Sequence, residues 1–229
     1  MPSDLQSIAD PRLILVTWTA GLALVGGVIS LRKIVGPGFN WLIGGVAGLV
    51  GLPGALANGA WWARLGLVAL AVALVWARNR PFAGLMFAVG GIAYLIEASL
   101  FSGWVSALTA SLALGGVTGE MILGHWYLID PRLPRSALRD LAVAGIAGLL
   151  AESLFMVSLD IGLSGGAVGF WVLVVTSVLL MVAVIAALRY PAYSGVMAAT
   201  GLSYLALLTT LGAVFVGRAT VAGLGPFAS

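Results

Sequence analysis

Long apolar runs, broken by short polar or proline-containing segments, dominate the pattern of the chain. Each run is close to the ~20 residues that a helix needs to cross the hydrocarbon core of a bilayer. The pattern predicts eight transmembrane helices, at about residues 13–31, 40–58, 62–78, 82–101, 104–128, 137–159, 167–188 and 193–216. Because the connections are short, we expect an all-α polytopic membrane protein that forms one compact bundle over residues 1–229.

Two of these segments fit the pattern less well than the others. The run at 40–58 contains Pro53 and many glycines, and the run at 62–78 is short. The alternative for 40–78 is therefore a single re-entrant element. The residues before the first run include Asp4 and Asp10 and lack a basic cluster, so we expect the first run to be a retained helix and not a cleaved signal peptide.

The composition supports a membrane protein and excludes several classes of site. Hydrophobic residues make up 61% of the chain and charged residues 8%, far below the roughly 25% charged residues of soluble domains. The chain has no cysteine, which excludes disulfides, iron–sulfur ligation and c-type haem attachment within it. Its basic residues form no nucleic-acid motif, so no nucleic acid is expected as a partner.

The positions of the cations predict an orientation. Positive residues concentrate on the side of the membrane where translocation is blocked, which is the cytoplasm. The connections after spans one, three, five and seven carry Arg32, Lys33, Arg78, Arg80, Arg132, Arg135, Arg139 and Arg189, and the opposite side carries Arg12, Arg64 and Arg218. We therefore expect both termini to lie outside. The preference for Arg over Lys and the abundance of Ala, Gly and Val indicate the inner or plasma membrane of a bacterium.

An internal similarity predicts parallel helical-hairpin repeats. Residues 88–101 and 142–155 agree at nine of fourteen positions without a gap, and residues 81–95 resemble 191–205 more weakly. Chance similarity in Ala/Gly/Leu-rich sequence is the alternative. Small residues also recur every four positions in span five, as Ser111, Gly115 and Gly119 and as Gly116, Glu120 and Gly124. Such ridges allow close helix packing, so we expect span five to be central.

Ionisable residues at membrane depth are costly and are therefore candidates for function. Glu120 lies on the small-residue ridge of span five, where it would face other helices as a proton carrier or as a partner for a quinone head group. His125, the only histidine, would donate to a quinone carbonyl, with Tyr127 or a nearby arginine assisting. The alternatives are a structural carboxyl and an interfacial imidazole.

Glu97 and Glu152 occupy nearly equivalent places in the two repeat copies. If their helices are neighbours, they would share a proton or bind a cation; otherwise they are separate structural carboxyls. In the most charged connection, Arg132, Arg135 and Arg139 would dock a peripheral subunit or anionic lipid. The alternative is that these arginines serve only to set the orientation of the chain in the membrane.

No P-loop, GxSxG, HExxH or histidine pair at metal spacing occurs, so the sequence predicts no self-contained catalytic site and no metal site. Three functions remain. The first is a membrane-embedded subunit of an electron-transfer or energy-converting complex that contacts a quinone near His125 and Glu120, with no covalent cofactor and with further subunits and lipids as partners. The second is a solute or proton transporter that uses Glu97, Glu120 and Glu152. The third is a membrane scaffold or assembly protein.

Overall fold

The computed structural model describes residues 10–57, 59–131, 133–161 and 164–223, and within them the regular structure is entirely helical. The helices are α1 (Pro11–Leu31), α2 (Pro37–Leu56), α3 (Trp61–Val75), α4 (Arg80–Ser102), α5 (Trp104–Tyr127), α6 (Arg135–Ser158), α7 (Gly165–Leu188) and α8 (Tyr193–Val221). Each corresponds to one of the eight predicted spans, so the all-helical bundle predicted from the apolar pattern is confirmed.

Seven of these helices are long and apolar enough to cross a membrane. The exception is α3, whose 15 residues extend roughly 22 Å at 1.5 Å per residue. The segment 40–78 forms two separate helices, and Pro53 lies inside α2. Two helices are therefore present here, as predicted, and the second is shorter than the hydrocarbon core.

The helices pack as two four-membered rings. In ring one, α1 and α3 each contact both α2 and α4; in ring two, α5 and α7 each contact both α6 and α8. The rings join where α5 packs against α1 and, less extensively, against α4. The similar segments 81–95 and 191–205 contribute to α4 and α8, which are the fourth helices of the two rings.

Local sequence signals explain where several helices begin. Pro11, Pro37 and Pro81 stand in the first turns of α1, α2 and α4, where a missing backbone N–H costs nothing. The Asp10 side chain accepts a hydrogen bond of 2.8 Å from the backbone N–H of Arg12 and so caps α1. The hydrogen bonds from the Arg12 side chain, 2.6 Å at its shortest, lower the pKa of the Asp10 carboxyl.

Connections between consecutive helices are short, so neighbouring helices run antiparallel. The connections α1–α2, α3–α4, α5–α6 and α7–α8 therefore lie at one end of the bundle. We call this end the Arg-rich end, for Arg32, Arg78, Arg135, Arg139 and Arg189. The start of α1 and the end of α8 lie at the opposite end.

Backbone-to-backbone contact holds the two rings together. A Cβ atom added to Gly21 of α1 would lie 1.9 Å from the carbonyl oxygen of Ser111 in α5, and one added to Gly115 would lie 2.5 Å from the carbonyl carbon of Gly21. On its next face, α5 makes an equally close contact with α6 at Gly148, where a Cβ would meet the Ala113 nitrogen at 2.2 Å. The predicted central position of span five is confirmed.

This contact predicts a strong effect of a single methyl group. We expect Gly21→Ala to destabilise the protein by more than the about 1–3 kcal/mol of ordinary overpacking, because the obstructing atoms belong to the backbone of α5. Thermal unfolding and monodispersity in one detergent measure the effect. Gly45→Ala of α2 is the matched control, since its Cβ would meet nothing within 4 Å. Equal stability of the two variants would contradict the contact.

Candidate functional site

Glu120 is completely buried between α5 and α8. Its Oε2 contacts the hydroxyl of Ser203 on α8, and its Oε1 has no hydrogen-bond partner within the described residues. The prediction that Glu120 faces other helices is confirmed. Its partner Ser203, which the sequence did not single out, is also fully buried.

Hydrogen-bond counting favours a neutral form of this carboxyl. A hydroxyl has one hydrogen to donate and can accept two bonds. The Ser203 hydroxyl lies 2.8 Å from the carbonyl oxygen of Ala199, one turn away on its own helix. If Ser203 donates to Ala199, a protonated Glu120 can donate to Ser203, and both contacts are satisfied. An ionised Glu120 requires the Ser203 hydrogen to turn away from Ala199.

The imidazole of His125 lies on the exposed side of the same two helices. Its Nδ1 is 3.5 Å from the hydroxyl of Tyr204, the residue that follows Ser203 on α8. Tyr204 is itself 46% exposed. We name these four residues, Glu120, His125, Ser203 and Tyr204, the α5–α8 seam. It combines a buried carboxyl–hydroxyl pair with an imidazole–phenol pair that is open to the surroundings of the bundle.

A glycine explains why the two helices come close enough to form the seam. Gly124 of α5 faces Thr200 of α8, where an added Cβ would lie 2.8 Å from the threonine hydroxyl oxygen. Glu120 and Gly124 are one turn apart and share a face of α5. The small residue therefore brings α8 within hydrogen-bond reach of the carboxyl.

Tyr127 is placed differently from the prediction that it assists His125. Its side chain is buried, and its hydroxyl accepts a hydrogen bond of 3.4 Å from Nε of Arg135 at the start of α6. Side chains two positions apart on a helix point about 200° apart, so Tyr127 and His125 lie on different sides of α5. The phenol at His125 is that of Tyr204.

Glu97 binds the beginning of another helix. Its Oε2 accepts hydrogen bonds from the backbone N–H groups of Trp62, at 3.0 Å, and Ala63, at 3.2 Å. These are among the first N–H groups of α3, which have no partner within the helix, and the helix dipole favours a negative charge there. Glu97 thus has a structural partner in ring one.

Glu152 belongs to a buried ion pair in ring two. Arg218 of α8 approaches its Oε1 with Nη2 at 3.1 Å and Nε at 3.2 Å, and both side chains are at most 2% exposed. The Thr109 hydroxyl of α5 donates to the other carboxylate oxygen, and Arg218 also donates to the Ser106 carbonyl at 3.1 Å. The pair therefore ties α5, α6 and α8 together near the end opposite the Arg-rich end.

The two carboxylates do not form the hypothesised Glu97–Glu152 pair. Glu97 binds the first turn of α3 in ring one, and Glu152 binds Arg218 in ring two. Arg218 was missed as a partner because the apolar pattern ends span eight at residue 216, whereas α8 continues to Val221. The signal that could have identified it is a cation followed by further small and apolar residues, three positions before the end of α8.

The predicted docking arginines separate into three cases. Arg135 donates to the carbonyls of Tyr190, Pro191 (2.7 Å) and Ala192 (3.3 Å), and so holds the connection between α7 and α8. Arg139 is exposed and has no side-chain hydrogen bond or ion pair within the described residues. Arg132 lies outside the described residues.

A separate apolar cleft of about 570 Å³ opens between α1, α5 and α6. Leu24, Leu108, Leu112 and Ala144 are among its lining residues. It lies on the side of α5 that faces α1 and α6, whereas the seam lies on the side that faces α8.

Comparisons of the chain with protein-family models, with curated proteins and with solved structures gave no match.

The buried ion pair predicts a non-additive pair of substitutions. Removing one partner leaves an uncompensated buried charge, which costs about 3–5 kcal/mol, so we expect Arg218→Met and Glu152→Leu each to lower the melting temperature strongly. The double variant should be more stable than either single variant, because no charge is left unpaired. Arg78→Met, at an exposed position, is the control for loss of a guanidinium. Additive losses in the double variant would exclude a direct pair.

Proposed function

We propose that the chain is the membrane-embedded subunit of an electron-transfer or energy-converting complex and that it contacts a quinone at the α5–α8 seam. The observation that carries the proposal is the arrangement of this seam. An exposed imidazole and phenol, His125 and Tyr204, stand next to a fully buried carboxyl, Glu120, on the same two helices.

The exposed pair has the chemistry that a quinone head group requires. Quinone carbonyls accept hydrogen bonds, and imidazole and phenol groups each supply a donor. Because both side chains are exposed on a helix of membrane-spanning length, a quinone dissolved in the bilayer can reach them without entering the bundle. His125 lies in the last turn of α5 at the Arg-rich end, where polar head groups of lipids are found.

The buried carboxyl supplies the second requirement, which is proton exchange. Reduction of a quinone to a quinol takes up two electrons and two protons, and oxidation releases them. We assign the exchangeable proton to Glu120, whose contact on α8 is the hydroxyl of Ser203. In this proposal the electrons come from a redox group in a partner subunit.

The contacts of the other carboxylates favour this proposal over a transporter lined by three acidic residues. Glu97 is bound to the first turn of α3, and Glu152 is neutralised by Arg218. A transported ion would have to displace these structural partners. Among the described residues, Glu120 contacts only the hydroxyl of Ser203, and neither a cation nor a helix N-terminus binds it.

Photolabelling with an azido-quinone tests the site directly in the purified protein in nanodiscs, followed by peptide mapping. We expect labelling to concentrate on the parts of α5 and α8 that contain His125 and Tyr204. His125→Ala and Tyr204→Phe should each reduce labelling roughly tenfold, which corresponds to about 1.4 kcal/mol, the size of one hydrogen bond. Glu120→Gln should leave labelling intact and reduce quinone turnover in the complete complex.

Tyr190→Phe is the matched control, because Tyr190 is an exposed phenol at the same end of the molecule but outside the seam. Labelling of the α1–α5–α6 cleft would place the ligand on the other side of α5 and overturn the seam as the site. Labelling spread over all exposed surfaces, unaffected by the two variants, would leave a membrane scaffold as the better description.

A further inference from the structure

We propose that a pocket between α6 and α7 at the Arg-rich end binds the phosphate and one acyl chain of an anionic phospholipid. The pocket has a volume of about 520 Å³ and is lined by Arg135, Arg139, Arg189, Val143, Ile185 and Leu188. We name it the α6–α7 pocket. It is separate from the α5–α8 seam, so this inference does not depend on the contact with a quinone.

The charge of the pocket selects an anion. Three guanidinium groups and one carboxylate, that of Asp140, line it, which leaves a surplus of two positive charges. Arg139 and Arg189 are exposed, and within the described residues neither side chain has a hydrogen bond or an ion pair. Two free guanidinium groups at one pocket match the oxygens of a phosphate in the bidentate manner that arginine favours.

Arg135 provides a fixed side of the pocket. Its guanidinium is held by the carbonyls of Pro191 and Ala192, so its positive charge is already positioned before any ligand arrives. Preorganisation of this kind lowers the cost of ordering a binding site. The residue predicted from the sequence as a docking arginine thus shapes the site, while Arg139 and Arg189 are free to contact the ligand.

The apolar residues distinguish a lipid from a soluble anion. Val143 lies two turns into α6 and Ile185 lies one turn before the end of α7, so the apolar wall extends from the arginines toward the middle of the membrane. α6 and α7 also contact each other less extensively than the other neighbouring helices of ring two. The gap accommodates one acyl chain of a lipid whose phosphate lies at the arginines. Basic pockets between transmembrane helices bind anionic lipids in this way.

Native mass spectrometry of the full chain tests this proposal. The protein is released from nanodiscs of phosphatidylcholine containing a minor fraction of phosphatidylglycerol, and the retained lipids are counted. We expect the wild-type protein to retain phosphatidylglycerol selectively. The double variant Arg139→Gln/Arg189→Gln should retain roughly thirtyfold less, given the contribution of each cation to lipid binding.

Two further double variants separate a site from a general effect of charge or of misfolding. Arg32→Gln/Arg78→Gln removes the same charge from exposed positions of ring one at the same end, and it should retain phosphatidylglycerol as the wild type does. Arg139→Lys/Arg189→Lys keeps the charge but loses the bidentate geometry of arginine, so it should restore only part of the retention lost in the glutamine variant.

Equal loss in the Arg32/Arg78 variant would overturn the proposal in favour of unspecific attraction of anionic lipid to the Arg-rich end. Unchanged retention in the Arg139/Arg189 variant would overturn it directly. Displacement of the lipid by millimolar glycerol phosphate alone would show that the pocket recognises a free phosphate and that the apolar wall contributes nothing. Only selective retention that resists glycerol phosphate supports a bound phospholipid.

Discussion

The close contact between α1 and α5 is the constraint on which the rest of the molecule depends. In a bilayer, apolar side chains gain little by leaving lipid for another helix, so helices associate through close packing and polar contacts. Gly21 and Gly115 bring the two backbones together until even a single Cβ would not fit. This contact joins the rings and fixes the rotation of α5, so its remaining faces are directed at α6 and α8.

The rotation of α5 in turn determines the surroundings of Glu120 and Glu152. With Gly115 turned toward α1, Glu120 and Gly124 are directed at α8, and the carboxyl meets Ser203. Near the other end of α5, Thr109 and the Ser106 carbonyl are brought to Glu152 and Arg218. One helix therefore contributes both to the ion-pair network that connects the helices of ring two and to the contact between Glu120 and Ser203.

The helices could be predicted from the sequence because their signal is local. A run of about twenty apolar residues must be a helix at membrane depth, where every backbone polar group has to be satisfied within the segment. Even α3 was identified, although Trp61–Val75 is shorter than the predicted run. The burial of Glu120 was also predictable, since it shares a ridge with Gly116 and Gly124.

The partners of the ionisable groups could not be predicted, because they depend on how one helix slides and rotates against another. Glu97 binds backbone N–H groups of α3, a contact without any side-chain signal. Tyr204 takes the place expected for Tyr127. It comes from a helix distant in sequence, so no local pattern indicates its contact with His125. Apolar periodicity does not encode such registers. The orientation of the termini across the membrane remains a prediction from the positions of the arginines.

We propose that Glu120 exchanges a proton when a quinone at His125 and Tyr204 changes its redox state. Redox-induced infrared difference spectroscopy of the intact complex tests it most directly, because the carbonyl stretch of a protonated carboxyl lies apart from most protein bands. We expect a carboxyl band that changes on quinone reduction, is lost in Glu120→Gln and shifts in Ser203→Ala. A spectrum in which the Glu120→Gln complex keeps every carboxyl band of the wild type would contradict the claim.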